Sequence, residues 1–206
     1  MNILLLGATG RVGSCILNHA LEAGHHVNAL VRNTDKIERQ DEKLGIILGS
    51  VLNAESIRES IEEADLVISA LGTDGGTTLS ESMPLIIKAM QEEGVGRIIT
   101  IGTAGILESR TEPGKLRYQS SESKRRTARA AKEHHKAYTL LEDSALNWTI
   151  ICPTYLPDGE RTGEYRTERN HLPEGGGKIS VPDTAEFAFR QIEDDGYIKA
   201  RVGIAY

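Results

Sequence analysis

At 206 residues the chain is long enough for one domain of ordinary size, with a core that needs no disulfide or structural metal. Lys and Arg number 24 against 30 Asp and Glu, a net charge of −6 that argues against a general nucleic-acid binder, because phosphate neutralisation needs a basic surface. With 39% hydrophobic and 26% charged residues the chain is globular, and its two cysteines, Cys15 and Cys152, make neither a disulfide framework nor a zinc site. The opening MNILLLGATG has no basic stretch before its apolar run, and no apolar run is long enough to span a bilayer. A cytoplasmic protein without membrane contact is the expectation.

Short apolar runs alternate with stretches of helical period. Residues 3–6 are a continuous apolar run that ends in glycine, the pattern of a strand buried on both faces. Over 12–23, Val12, Ile16, Leu17, Ala20 and Leu21 share one helical face, and Gly24 stops the helix. Strands follow at 26–31 and 45–48, a helix at 56–64, a strand at 66–70, a helix at 79–93 and a strand at 97–101. A long helix is predicted from about 123 to 144 and a strand at 148–152. Parallel strands need crossover connections, so this alternation predicts a doubly wound parallel sheet in three α/β/α layers. The tail reads differently. Residues 158–178 are polar and glycine-containing, too long for a mere connector, and precede a short helix at 184–192 and a last strand at 199–204. We therefore expect one domain over 1–206, a nucleotide-binding core at 1–152 carrying a substrate-side cap at 153–206.

Between the first strand and the first helix stands Gly7-Ala8-Thr9-Gly10-Arg11-Val12-Gly13. In such a loop Gly7 permits the tight turn, Gly10 lets backbone approach a pyrophosphate, and Gly13 lets the helix pack closely on the strand. The phosphates would sit on the helix N-terminus, where free N–H groups and the dipole favour anions.

The GxxGxxG spacing resembles the extended and atypical branch of the short-chain dehydrogenase/reductase superfamily. Further matches are Val31-Arg32-Asn33, Gly49-Ser50-Val51, Ser69-Ala70-Leu71-Gly72-Thr73, Ile101-Gly102-Thr103-Ala104 and the stretch from Trp148 to Pro153. Within that branch the chain is similar to the NAD(P)H-binding group that contains biliverdin reductase B, a flavin reductase, and the NmrA-like proteins. The resemblance implies a Rossmann-type sheet. It also implies cofactor contacts from Gly7, Thr9, Gly10, Arg11, Val12, Gly13, Ser50, Val51, Leu71, Gly72, Thr73 and Pro153. Ser50 stands where similar proteins carry an adenine-contacting Asp. His134 falls in the apolar stripe of Ala130, Ala131, Ala137, Tyr138 and Leu141, and matches a cofactor-contacting histidine of the relatives. Both a core role and a cofactor role are open to it. His135 points away from that stripe and reads as exposed. Arg125, Arg129, Lys132 and Lys136, with Glu122 and Glu133 nearby, read as a solvated face.

An NAD-preferring site needs an acidic residue at the end of the second strand. Here Arg32 stands there, with Lys36 four residues later. A guanidinium pairs bidentately with a 2′-phosphate, so NADP(H) is favoured over NAD(H).

The Tyr-x-x-x-Lys pair of classical reductases is missing. Glu122 follows Tyr118 by four residues, Glu142 follows Tyr138, Gly159 follows Tyr155, Arg169 follows Tyr165 and Arg201 follows Tyr197. Hydride transfer to a flavin-like ring demands less, because the nicotinamide carries the chemistry and the protein positions two planar rings. Thr103 stands where the flavin-reductase relatives carry a serine, and Tyr155 where biliverdin reductase B has a histidine; these two are the catalytic candidates. The reading is an NADP(H)-dependent oxidoreductase that reduces a flavin, quinone or similar small planar acceptor, as a monomer or small homo-oligomer without nucleic-acid or membrane partners. The alternative is an NmrA-like redox sensor that binds the dinucleotide without turnover.

Overall fold

The computed structural model describes residues 1–123 and 127–206. The chain opens with β1 (Asn2–Leu6), α1 (Arg11–Glu22), β2 (His26–Val31), a 3-10 turn at Thr34–Lys36, and β3 (Leu44–Leu48). Then come α2 (Ala54–Ile61), β4 (Leu66–Ser69), α3 (Thr78–Glu92) and β5 (Arg97–Ile101). Two 3-10 turns, Ala104–Ile106 and Arg117–Gln119, lead to α4 (Arg129–Glu142) and β6 (Asn147–Pro153). The tail holds β7 (Arg166–Arg169), α5 (Val181–Arg190) and β8 (Ala200–Ala205).

Among the described residues eight strands form one sheet, in the order β3-β2-β1-β4-β5-β6-β8-β7. All pairings are parallel except that of β7 with β8. Successive side chains of a strand point to opposite faces, so each central strand feeds two cores. Leu4, Leu6, Val67, Ile98 and Ile150 pack beneath α2, α3 and α4. Ile3, Leu5, Ile68, Ile99 and Ile151 pack beneath α1 and α5. This is the doubly wound, three-layer Rossmann-type architecture that the alternation predicts.

Strand order reverses between β1 and β4, and in such sheets the binding crevice opens at the carboxyl ends of the strands on either side of the reversal. Gly7 follows β1 and Ala70 follows β4 at this point, and the Ala70 N–H donates to the Leu6 carbonyl at 2.8 Å.

Sequence-based boundaries change at several elements, α2 among them, which ends at Ile61 and not at 64. The polar tail contains β7, which pairs Thr167 with Ile204 and Glu168 with Gly203; its run Arg-Thr-Glu-Arg has no apolar alternation to announce it. The long helix starts at Arg129, not near Ser123, because Glu122 is committed to the preceding loop: it accepts from the Arg110 N–H at 3.0 Å and from Arg117 Nη1 at 2.7 Å. The last helix starts at Val181, where Ser180 caps it by accepting from the Asp183 N–H and Pro182 fits the first turn. No helix among the described residues is long and apolar enough to cross a membrane.

Candidate functional site

The glycine loop is built by close approach. Gly7 has φ +83°, and a Cβ there would lie 2.7 Å from the Ala70 carbonyl oxygen across the strand reversal. At Gly13, on α1, a Cβ would lie 2.0 Å from the Gly7 carbonyl oxygen. A side chain at Gly7 would push the loop away from the end of β4, and one at Gly13 would drive α1 off the loop. Gly10 differs: its nearest neighbour to an added Cβ is the same carbonyl at 3.3 Å, and the residue is exposed. Gly10 also begins α1 without a side chain to cap it, so the first-turn N–H groups have no side-chain acceptor from that residue. A loop cut back to backbone at the positive end of a helix dipole fits the pyrophosphate of a dinucleotide.

Beside this loop lies a cleft lined by Gly7, Thr9, Val31, Arg32, Ser50, Val51, Leu71 and Gly72, with Leu30, Gly49, Leu52, Asp74 and Thr78. Seven of the residues assigned from sequence to the cofactor, namely Gly7, Thr9, Arg32, Ser50, Val51, Leu71 and Gly72, therefore meet in one place. Arg32 directly follows β2 and its Nη2 reaches Asp74 Oδ2 at 2.9 Å, both side chains remaining largely exposed. Ser50 Oγ accepts from the Leu52 N–H at 3.2 Å, and among the described residues nothing accepts its proton. Lys36 ends the 3-10 turn after β2 and is exposed.

Other assigned residues lie outside that lining. Val12 and Gly13 are buried in the first turn of α1. Arg11 reaches toward the cap, its Nη1 donating to the Leu156 carbonyl at 3.1 Å and to Asp158 Oδ1 at 2.8 Å. The Thr73 carbonyl accepts from the Gly76 N–H at 2.7 Å in the loop after β4. Pro153 ends β6, buried beside Ile204 of β8. Thr103 follows β5, half-buried, and its Oγ1 accepts from the Gly105 N–H at a long 3.5 Å. Among the described residues nothing accepts the Thr103 hydroxyl proton, so it can still be given. Tyr155 is 66% exposed, and its carbonyl accepts from the Ile179 N–H where the tail returns. His134 is half-buried on α4.

Two expectations about α4 are corrected. His135 is half-buried, with Nδ1 2.9 Å from the Tyr118 hydroxyl and its ring stacked on Tyr138. Burial first, and the Arg201 cation second, hold its pKa below the ordinary imidazole value. The acids near the basic stripe are also not a solvated face. Glu133 is buried, accepting from Ser80 Oγ and Lys136 Nζ at 2.8 Å each, and Glu122 ties the loop described above. Arg129 and Lys132 are exposed, and Arg125 lies outside the described residues.

Leu30, Leu52, Asp74 and Thr78 line the cleft without belonging to any motif. The available signal is topological: the loops after β3 and β4 must run along the carboxyl edge of a parallel sheet. A buried cation also escapes sequence reading. Arg201 on β8 donates to the Ile106 carbonyl and to Glu108 Oε1 at 3.0 Å, with its guanidinium carbon 4.4 Å from the Tyr138 ring centroid. It fastens the turn that follows Thr103.

Comparison with known proteins agrees with this geometry. The chain belongs to the NAD(P)H-binding family, whose pattern matches residues 7–195. It is 28% identical over 203 residues to the uncharacterized protein YwnB of Bacillus subtilis, covering 94% of this chain and 92% of that one. A Bacteroides thetaiotaomicron structure provisionally named an epimerase superposes with TM-score 0.86 and 30% identity, over 100% of this chain and 96% of the other. A Streptococcus pneumoniae structure provisionally named an NADH-flavin reductase gives TM-score 0.85 and 25% identity, over 100% and 99%. Plant reductases match over part of their length only: the alignment covers 24% of an Arabidopsis thaliana protein provisionally named a pinoresinol-lariciresinol reductase, and 31% of a tobacco isoflavone reductase homolog.

Proposed function

We propose that the protein is an NADP(H)-dependent oxidoreductase that passes hydride to a flavin, quinone or similar planar acceptor. The observation that carries the reading is the cleft itself: a glycine cradle whose neighbouring strand ends in Arg32 where an NAD-selecting acid would stand. When bound, the nicotinamide supplies the hydride, two electrons and one proton, to the acceptor. The chain's own work is then positional. The Gly7–Gly10 turn and the N-terminus of α1 would hold the pyrophosphate, Gly13 letting the helix pack against the loop, and Arg32 with Lys36 would face the 2′-phosphate. Val51 and Ser50 bound the adenine end, while Leu71, Gly72 and Thr73 line the path toward the reacting ring. Thr103, with a hydroxyl proton to give, would hydrogen-bond the acceptor or supply the second proton, and Tyr155 would offer an exposed ring to a planar substrate. The resemblance would add His134 and Pro153 to the ring's surroundings. On α4 Glu142, not a lysine, follows Tyr138 by four residues, which disfavours carbonyl-to-alcohol chemistry of the usual kind.

The test is NADPH oxidation by the pure protein with FMN, riboflavin, a quinone and a tetrapyrrole. Turnover with at least one acceptor supports the reading. Tight NADPH binding with no turnover of any acceptor overturns it in favour of a dinucleotide sensor.

A further inference from the structure

The loop between β4 and α3, Gly72-Thr73-Asp74-Gly75-Gly76, places a carboxylate on the wall of the cleft opposite β2. Asp74 adopts φ +48° and Gly75 φ +69°, two successive left-handed residues inside a turn closed by the Gly76 N–H on the Thr73 carbonyl at 2.7 Å. Left-handed backbone is costly for most side chains and least so for Gly, Asn and Asp. The turn therefore holds the Asp74 backbone in a defined place, and Asp74 Oδ2 meets Arg32 Nη2 at 2.9 Å across the cleft. Arg32 has one planar donor fork, and a carboxylate and a phosphate seek the same N–H groups on it.

We propose that Asp74 is a specificity-determining residue: it competes with the 2′-phosphate of NADP(H) for the Arg32 guanidinium and narrows the preference for NADP(H) over NAD(H). This rests on the assignment of Arg32 to the 2′-phosphate. Two effects act in one direction. The phosphate must displace the carboxylate from Arg32, and the displaced charge then stays within a few ångströms of a dianion. A 2′-hydroxyl suffers neither penalty and can donate to Asp74.

The experiment is a set of fluorescence titrations at low salt with NADPH, NADH and the fragment 2′,5′-ADP, on wild type, Asp74→Asn, Asp74→Gly and Arg32→Ala. Asn and Gly both accept the left-handed backbone, so a folding defect in one leaves the other as the probe. Neutralising Asp74 is expected to tighten NADPH and 2′,5′-ADP by about three- to fivefold, as for an exposed ion pair, and to leave NADH within about twofold. The gain should shrink at high salt, because exposed charges are screened. If Arg32→Ala weakens NADPH while neither Asp74 variant tightens it, the competition is refuted and the Arg32 assignment survives. If Arg32→Ala leaves NADPH unchanged, the Arg32 assignment has failed, and the proposal with it. Parallel loss of NADPH and NADH in both Asp74 variants would make Asp74 a ribose or loop anchor and overturn the proposal.

Discussion

Gly10 and Gly13 stand three residues apart in one loop and answer to different neighbours. Gly13 faces the Gly7 carbonyl at a distance no Cβ can occupy, so Gly13→Ala should cost at least about 3 kcal/mol by urea denaturation, the scale of a severe overpacking change. Gly10 is less crowded, an added Cβ meeting the Gly7 carbonyl oxygen at a tight 3.3 Å, so Gly10→Val should cost clearly less stability than Gly13→Ala while losing dinucleotide affinity in calorimetry. Equal damage to the fold from both variants would remove the phosphate role from Gly10. At Arg32 the proposed contact with the 2′-phosphate would be charge-assisted and worth roughly 1.5 to 3 kcal/mol, about ten- to hundredfold in affinity. Arg32→Glu should weaken NADPH by at least that factor and leave NADH nearly unchanged in paired fluorescence titrations; parallel loss of both would show an arginine without a phosphate role. Thr103→Ala and Tyr155→Phe should each lower flavin reduction by at most about ten- to hundredfold, or roughly 1.4 to 3 kcal/mol of transition-state stabilisation. A steady-state loss of many further orders would identify an obligatory proton donor.

At the scale of elements, α5 anchors the return of the tail. Asp183, buried in its first turn, accepts from the Thr162 and Gly163 N–H groups and from the hydroxyls of Thr162, Ser180 and Tyr206. Burial alone would raise its carboxyl pKa, but these donors outweigh burial and hold it below the ordinary carboxylate value. Asp183→Asn keeps the shape and removes the charge from a set of donors all aimed at it. It should cost about 2 to 4 kcal/mol, the range for breaking a buried charge-assisted network. Hydrogen exchange should speed first at residues 162 and 163; uniform acceleration over the sheet would argue that α5 is no local anchor. Arg11 ties the same segment to the glycine loop through Leu156 and Asp158, so loosening of the tail is felt beside α1.

Over the whole molecule the shifted groups predict a plateau of stability bounded on both sides. Asp183, Glu186 and Glu133 have carboxyl pKa values below the ordinary range, so between the folded and unfolded values the unfolded chain binds more protons. Their contribution is complete above the unfolded carboxylate range near about 4 and is lost as pH falls through the folded values. His135 and His25 are also lowered, burial being the main cause, so stability begins to fall once pH drops below about 6.5, the unfolded imidazole value. On the alkaline side burial and Glu142 push the Tyr138 phenol up to about 12. The folded state then holds the proton longer, and stability declines as pH rises beyond about 10. Urea midpoints measured across pH should rise from acid to neutral, level off and fall in alkali; a midpoint that keeps climbing above about pH 10 would contradict the Tyr138 environment.

The sequence by itself determined the strand-helix alternation and the glycine loop, because both are local. Continuous apolar runs such as Ile3 to Leu6 declare burial on two faces, and Gly7, Gly10 and Gly13 are spaced for one tight turn into a helix. Arg32 was legible too, since the end of a second strand lies beside that turn in any sheet of this winding. Tertiary structure decided what distant segments meet. β7 exists because β8 offers its edge to Arg166–Arg169, whose own residues carry no strand pattern. His135 is engaged because the Arg117–Gln119 turn brings Tyr118 onto α4. Asp74 faces Arg32 only because the strand order reverses between β1 and β4, bringing the loop after β4 opposite β2; forty-two positions of chain separate them, and no local periodicity reports a pairing made across the reversal of a sheet.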